Sequence, residues 1–96
     1  MPTYIALTQF TDQGIRNIKE LPERWRKAEQ RSQQMGEKIT LYLTMGQYDA
    51  VAIIEAPDDE TAARGLLTVA GEGHLRTTTL KAFSREEAQR IIRSLG

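Results

Sequence analysis

The sequence predicts an α+β domain of the ferredoxin-like βαββαβ type: a four-stranded antiparallel sheet with two helices on one face, and a C-terminal helix added. Three observations predict it. Apolar residues recur first at strand spacing and then at helix spacing, in the order β-α-β-β-α-β. Glycine and proline punctuate the boundaries, at Pro22, Gly36, Gly46, Pro57, Gly71 and Gly73. A short amphipathic segment comes after the last strand. At 96 residues the chain reads as one domain, residues 1–96. A chain of this size buries roughly 60–70% of its unfolded surface, enough for one core without staples.

Thr3 to Phe10 alternates and is rich in β-branched and aromatic residues, which makes it the first strand. Ile5 and Leu7 are assigned to one face; Tyr4, Ala6, Thr8 and Phe10 fall on the other. Thr11 or Asp12 offers a side-chain oxygen to cap a helical segment after the strand. Gly14 costs a helix about 1 kcal/mol relative to alanine, so this first helical piece is expected to be short or irregular. Pro22 suits a first helical turn and biases Leu21 away from helical dihedrals. The main helix is therefore placed from Pro22 to Met35. Ile18, Leu21, Trp25, Ala28, Ser32 and Met35 form its apolar or small stripe, and Gly36 ends it.

Ile39 to Met45 is the second strand, with Ile39, Leu41, Leu43 and Met45 on one face and Thr40, Tyr42 and Thr44 on the other. Gly46 and Gln47 form the turn. The third strand runs from Tyr48 to Ala56, and Pro57 stops it. Asp58 then caps the second helix, with Asp59 and Glu60 near the positive end of its dipole. Ala62, Ala63, Leu66, Val69 and Ala70 give that helix a buried side of small residues. Gly71-Glu72-Gly73-His74 is a flexible connection. Leu75 to Phe83 is the fourth strand. Ser84 and Glu87 have capping-box spacing, ahead of the stripe Ala88, Ile91, Ile92 and Leu95.

Charge and composition exclude several classes. Lys+Arg and Asp+Glu both number 13, so formal net charge is zero, against the basic excess of a strong nucleic-acid binder. Arg24, Arg26, Lys27 and Arg31 are read as the outside of the first helix, with no exposed aromatics beside them on a sheet. There is no cysteine, which excludes disulfides and thiolate metal sites. No apolar run approaches the roughly 20 residues of a membrane span. Met-Pro-Thr-Tyr-Ile lacks a basic region followed by an apolar one, so no signal peptide is expected, and cytoplasm is the expected location.

Strand parity carries the functional reading. With Ile5, Leu7, Leu41 and Leu43 toward the helices, the open face presents Tyr4, Ala6, Thr8, Phe10, Thr40, Tyr42 and Thr44. Thr77 and Thr79 join them, with Leu80 and Ala82 turned to the helices. That mixture of rings, methyls and hydroxyls is too apolar to stay in water, and the terminal helix is too short to cover it. A homo-oligomer, first of all a dimer, is expected, packing sheet to sheet or edge to edge. A space between the sheet faces would then be a small-molecule site lined by Tyr4, Thr8, Tyr42, Thr44, Tyr48 and Thr77. The alternative is a filled dimer core whose hydroxyls bond locally.

Three segments resemble the GYD domain family of small bacterial proteins. They are Thr8-Gln9-Phe10-Thr11-Asp12-Gln13-Gly14-Ile15-Arg16-Asn17-Ile18, the run from Tyr48-Asp49-Ala50-Val51 through Ala56-Pro57-Asp58-Asp59-Glu60, and Leu75-Arg76-Thr77-Thr78-Thr79-Leu80-Lys81-Ala82-Phe83. One departure is the turn: the family name spells glycine, tyrosine and aspartate in succession, and here Gln47 separates Gly46 from Tyr48. The resemblance implies the dimeric α/β-barrel group of ferredoxin-like proteins. That group holds cofactor-free oxygenases, haem enzymes and ligand-sensing domains, so it selects no function by itself.

His74 is the sole histidine, and no His-x-x-x-His or Glu-x-x-His spacing exists, so neither metal nor cofactor is expected. At the mouth of a barrel, His74 would act as a proton carrier or ligand contact; otherwise it is simply exposed. Asp49 either bonds backbone groups and fixes the hairpin or joins Tyr42 or His74 in a polar cluster. Ser84 is a cap, Ser32 lies on a helix stripe and Ser94 is in the tail, which leaves no Ser-His-acid triad. Three functional readings are compatible with these residues. The first is a small-molecule binding module. The second is a cofactor-independent monooxygenase or isomerase using His74, Asp49 and Tyr42. The third is an interaction protein without a ligand.

Overall fold

In the computed structural model, which describes residues 1–96, the chain runs β1 (Thr3–Phe10), α1 (Asp12–Arg16), a 3-10 turn (Ile18–Glu20), α2 (Leu21–Gln34), β2 (Lys38–Leu43), β3 (Ala50–Glu55), α3 (Asp59–Ala70), β4 (Leu75–Ala82) and α4 (Arg85–Arg93). The four strands form one antiparallel sheet in the order β2-β3-β1-β4. This is the α+β, ferredoxin-like arrangement that the periodicity predicts.

Local chemistry sets most boundaries. The Thr11 hydroxyl accepts from the Gly14 amide at 3.1 Å and starts α1. Asp58 caps α3 by accepting from the Thr61 amide at 2.8 Å. The Ser84–Glu87 capping box starts α4, with both of its hydrogen bonds formed. Gly36 comes after α2 with a φ of +73°, which L-residues with a side chain rarely adopt. Leu21 departs from expectation. It is helical, at φ −55° and ψ −45°, so α2 begins one residue before Pro22. Its side chain is buried, and that burial outweighs the modest bias a proline imposes on its predecessor. The β2–β3 connection is also longer than a Gly46-Gln47 turn, since β2 ends at Leu43 and β3 starts at Ala50.

The larger correction concerns strand faces. Directly paired residues of antiparallel strands share a face. Tyr4, Ala6 and Thr8 pair with Ile54, Ala52 and Ala50. All six are buried, and Tyr4, Ala6, Ala52 and Ile54 pack with Ala56, Ala62, Ile39, Leu41 and Leu66 beneath the helices. Ile5 and Leu7 therefore lie on the open face, opposite to the sequence assignment. In β4, Thr77 and Thr79 pair with Thr8 and Ala6 and share the helix side, whereas Leu80 and Ala82 pair with Ile5 and Thr3 and lie on the open side. Both sets in β1 are apolar enough to be inside, and a choice shifted by one residue turns every side chain over. Only the pairing with alanine-rich β3 decides.

β2 behaves as expected. Leu41 faces the helices and Thr40 and Tyr42 the open side, while Leu43 lies on the helix side beyond the helices' cover and is exposed. Only 11 of 96 residues are buried, and no large side chain is buried completely. α4 has no extensive contact with any other element. No helix is long and apolar enough to cross a membrane.

Candidate functional site

The space left between the layers is a cavity of about 110 Å³. Its floor is Ala6, Leu41 and Ala52, its roof Trp25, Ala28 and Ser32 of α2, and its side wall Leu66 and Val69 of α3. Phe10, His74, Leu75 and Thr77 also line it. The void arises from composition. Ala50 and Ala52 on β3, Ala28 on α2, and Ala62 and Gly65 on α3 all put small residues where larger ones would close the gap.

His74 is held in place through its backbone. Its carbonyl accepts from the Thr11 amide at 3.1 Å, and the Thr11 hydroxyl donates to the Gly73 carbonyl at 2.7 Å. Gly14 allows this close approach, because a Cβ there would lie 2.0 Å from the His74 carbonyl oxygen. The imidazole Nδ1 is buried and has no hydrogen-bond partner. Buried polar atoms are normally paired, and this one is an exception.

Charged groups also line the space: Arg24, Lys27 and Arg31 from α2, with Glu37 and Glu72. Arg24 donates to the Asn17 carbonyl at 3.1 Å and lies 3.6 Å from Glu20. Arg31 lies 3.5 Å from Glu72. Lys27 takes part in none of the ion pairs. Burial pushes the Glu37 carboxyl up from its usual range. The sequence reading put Arg24, Arg26, Lys27 and Arg31 on the outside, which holds for Arg26 but missed the place of Arg24, Lys27 and Arg31 at this cavity. Their spacing holds the signal, since Arg24, Lys27 and Arg31 track one edge of the helix beside the stripe Trp25, Ala28 and Ser32.

The expected site residues are scattered. Thr8 and Thr77 line the helix-side cavity rather than a space between sheet faces. Tyr4 buries its ring in the core and donates its hydroxyl to Asp59, which also accepts from Lys81 Nζ at 3.0 Å. That bond raises the phenol to about 12 and lowers the Asp59 carboxyl, with Lys81 adding to the latter. The Asp49 carboxylate accepts from the Phe10 amide at 2.8 Å, and its own amide donates to the Thr8 carbonyl at 2.8 Å, so it ties the hairpin loop to the end of β1. The Thr44 hydroxyl donates to the Tyr48 carbonyl at 2.7 Å inside the same loop. Tyr42 is half exposed on the open face, across the sheet from His74. His74, Asp49 and Tyr42 therefore do not meet at one cavity. No group of three or more His, Asp or Glu side chains is arranged to hold a metal ion.

The open face is the second feature. The pairing aligns Tyr42, Val51, Leu7 and Thr78 in one row and Thr40, Ile53, Ile5 and Leu80 in the next. Tyr42 is 53% exposed, Ile53 37% and Leu80 48%. The family model for the GYD domain matches residues 4–92, from β1 through most of α4. The chain belongs to the GYD domain family. This GYD domain is 37% identical over 85 residues to a protein of Thermus thermophilus named glutamine synthetase and cystathionine beta-lyase binding protein. The alignment covers 86% of this chain and 90% of that protein. No solved structure matches the chain. The matched span of the GYD domain takes in both the cavity and the open sheet face.

Proposed function

We propose that this GYD domain, acting as one domain over residues 1–96, is a homo-oligomeric interaction module that docks onto amino-acid-metabolising enzymes in the cytoplasm. The observation that carries this reading is the likeness, along nearly the whole chain, to a protein named for binding two such enzymes. The sheet supports it. Two adjacent rows of Ile, Leu, Val and Tyr face outward, and apolar patches of this kind mark contacts. A second copy is their natural cover, because a sheet face that is flat and apolar is complementary to itself across a two-fold axis. Net zero charge offers no nucleic acid a basic surface. His74 lines the helix-side cavity while Asp49 and Tyr42 do not, which favours the interaction reading over a cofactor-independent enzyme.

The test has two arms. Light scattering behind a sizing column is expected to give a dimer, and Ile53→Glu, which puts a charge at the middle of the open face, is expected to give a monomer. Immobilised protein is expected to bind purified glutamine synthetase or cystathionine beta-lyase saturably. A monomeric wild type together with no binding to either enzyme would overturn the proposal.

A further inference from the structure

We propose that α4 is a clasp: in the dimer, each copy lays the apolar stripe of its α4 on the partner's sheet, at the margin of the two apolar rows. The clasp rests on the homo-oligomeric reading above and names the element that completes the contact between copies.

Three observations carry it. First, α4 is fully built and has no partner in its own chain. Its start is fixed by both bonds of the Ser84–Glu87 capping box. Every hydrogen bond made by residues 85–96 stays within residues 84–96. Arg85, Arg90 and Arg93 join no ion pair. Ile91, Ile92 and Leu95 are exposed along one stripe, and Phe83 is exposed in the link before it. A helix of nine residues is marginal in water without a packed face.

Second, α4 does not cover its own sheet. Tyr42, Ile53 and Leu80 stay exposed, and α4 has no extensive contact with any strand. It leaves from the edge strand β4 after the two-residue link Phe83-Ser84. It therefore starts at a margin of the sheet, beside any copy stacked on the open face. Third, the sheet rows alone are too small for a stable contact. Strands about 4.8 Å apart, with same-face residues about 6.7 Å apart, give the eight positions of the two rows about 250 Å² in projection. Doubling that for side-chain relief gives about 500 Å², against about 800 Å² per partner in a stable interface. A nine-residue helix is about 13 Å long and about 10 Å wide, a footprint of about 130 Å². In a two-fold pair each copy gives one arm and receives one, which brings the contact close to the size required. A lipid surface fits the stripe less well, because Glu86 and Glu87 interrupt the basic face that an interfacial helix needs.

The test uses the full chain. Dimer dissociation constants are measured by sedimentation over a dilution series, and amide exchange is followed over residues 85–93. Wild type is expected to be a dimer. Ile92→Glu, which puts a charge on the stripe, is expected to raise the dissociation constant at least about tenfold. Gln89→Glu adds the same charge off the stripe at an exposed position and is expected to stay within about twofold. Glutamate is a good helix former, so both variants keep α4. The α4 amides are expected to be protected in the dimer and to exchange at least about tenfold faster in monomeric Ile53→Glu. An Ile92→Glu dimer as tight as wild type overturns the clasp. Equal α4 exchange in the dimer and in Ile53→Glu overturns it too: shared protection would mean packing on its own chain, and shared exposure would leave the stripe to an enzyme or a membrane. The exchange comparison needs no α4 variant, so it decides even where Ile92→Glu misfolds. A wild type that stays monomeric overturns the dimer reading and the clasp together, whereas a dimer indifferent to Ile92→Glu overturns the clasp alone.

Discussion

A few side chains carry more than their size suggests. Gly14 is one, since it lets α1 touch the loop that holds His74. Gly14→Ala is expected to cost about 3 kcal/mol, the upper range of overpacking, because its methyl would sit 2.0 Å from a backbone oxygen that cannot swing away. Urea unfolding checks it, and a loss under about 1 kcal/mol would mean that the loop yields. The Tyr4–Asp59–Lys81 cluster sets a pH response. The Tyr4 hydroxyl has an ordinary value of 10.0 and is held at about 12 in the fold. Between those values the unfolded chain releases its proton first, so this contribution is complete below about pH 10 and is lost as pH rises toward 12. Asp58, Asp59 and Glu87 are lowered, so their contributions are present above the usual carboxylate range and disappear as pH falls through it. Glu37, raised by burial, works in the opposite direction. Unfolding midpoints across pH are expected to fall at both ends, and Tyr4→Phe is expected to flatten the alkaline side and to weaken the Asp59 contribution on the acid side.

Among the elements, α4 is the least committed. Its capping box is complete, yet its apolar stripe is open, with Ile92 64% and Leu95 78% exposed. A helix this short is marginal in water without a packed face. In monomeric Ile53→Glu, Ser84→Ala is expected to remove about 1 kcal/mol from α4 alone. The effect should appear as faster amide exchange over residues 85–93, with the main unfolding midpoint unchanged. A coupled drop in the midpoint would show that α4 folds with the sheet. The β2–β3 loop behaves differently, since Asp49 anchors it to β1. Asp49→Ala leaves the Phe10 amide without its acceptor and is expected to cost about 1–2 kcal/mol, measured as a lower urea midpoint. The sequence suggested both roles of Asp49, and the structure shows its carboxylate on a backbone amide.

At the scale of the molecule, the single chain is an unfinished core. Its Cα radius of gyration is 14.7 Å, against about 12.5 Å for a compact chain of this length, and its extents are 52 × 31 × 18 Å. Few residues are buried, and the apolar rows of the sheet are left outside. Stability supplied by association depends on concentration. The thermal midpoint is therefore expected to rise with protein concentration in the wild type and to be flat and lower in Ile53→Glu. A midpoint independent of concentration in both would argue that the sheet stays bare. Cavity and open face lie on opposite sides of the sheet.

By itself the sequence determined the kind and order of the elements, because helix and strand periods, caps and breakers are local properties of neighbouring residues. Thr11, Asp58 and Ser84 cap where the spacing predicts, and Gly36 ends α2. Which face of β1 and β4 turns inward was settled only by tertiary structure. Both faces are apolar or threonine-rich, and only the register with Ala50, Ala52 and Ile54 distinguishes them. The same choice moved Thr8 and Thr77 from the expected dimer space to the helix-side cavity. Tertiary structure also put His74 and the α2 cations on the lining of one cavity, across a length of chain that no local pattern spans.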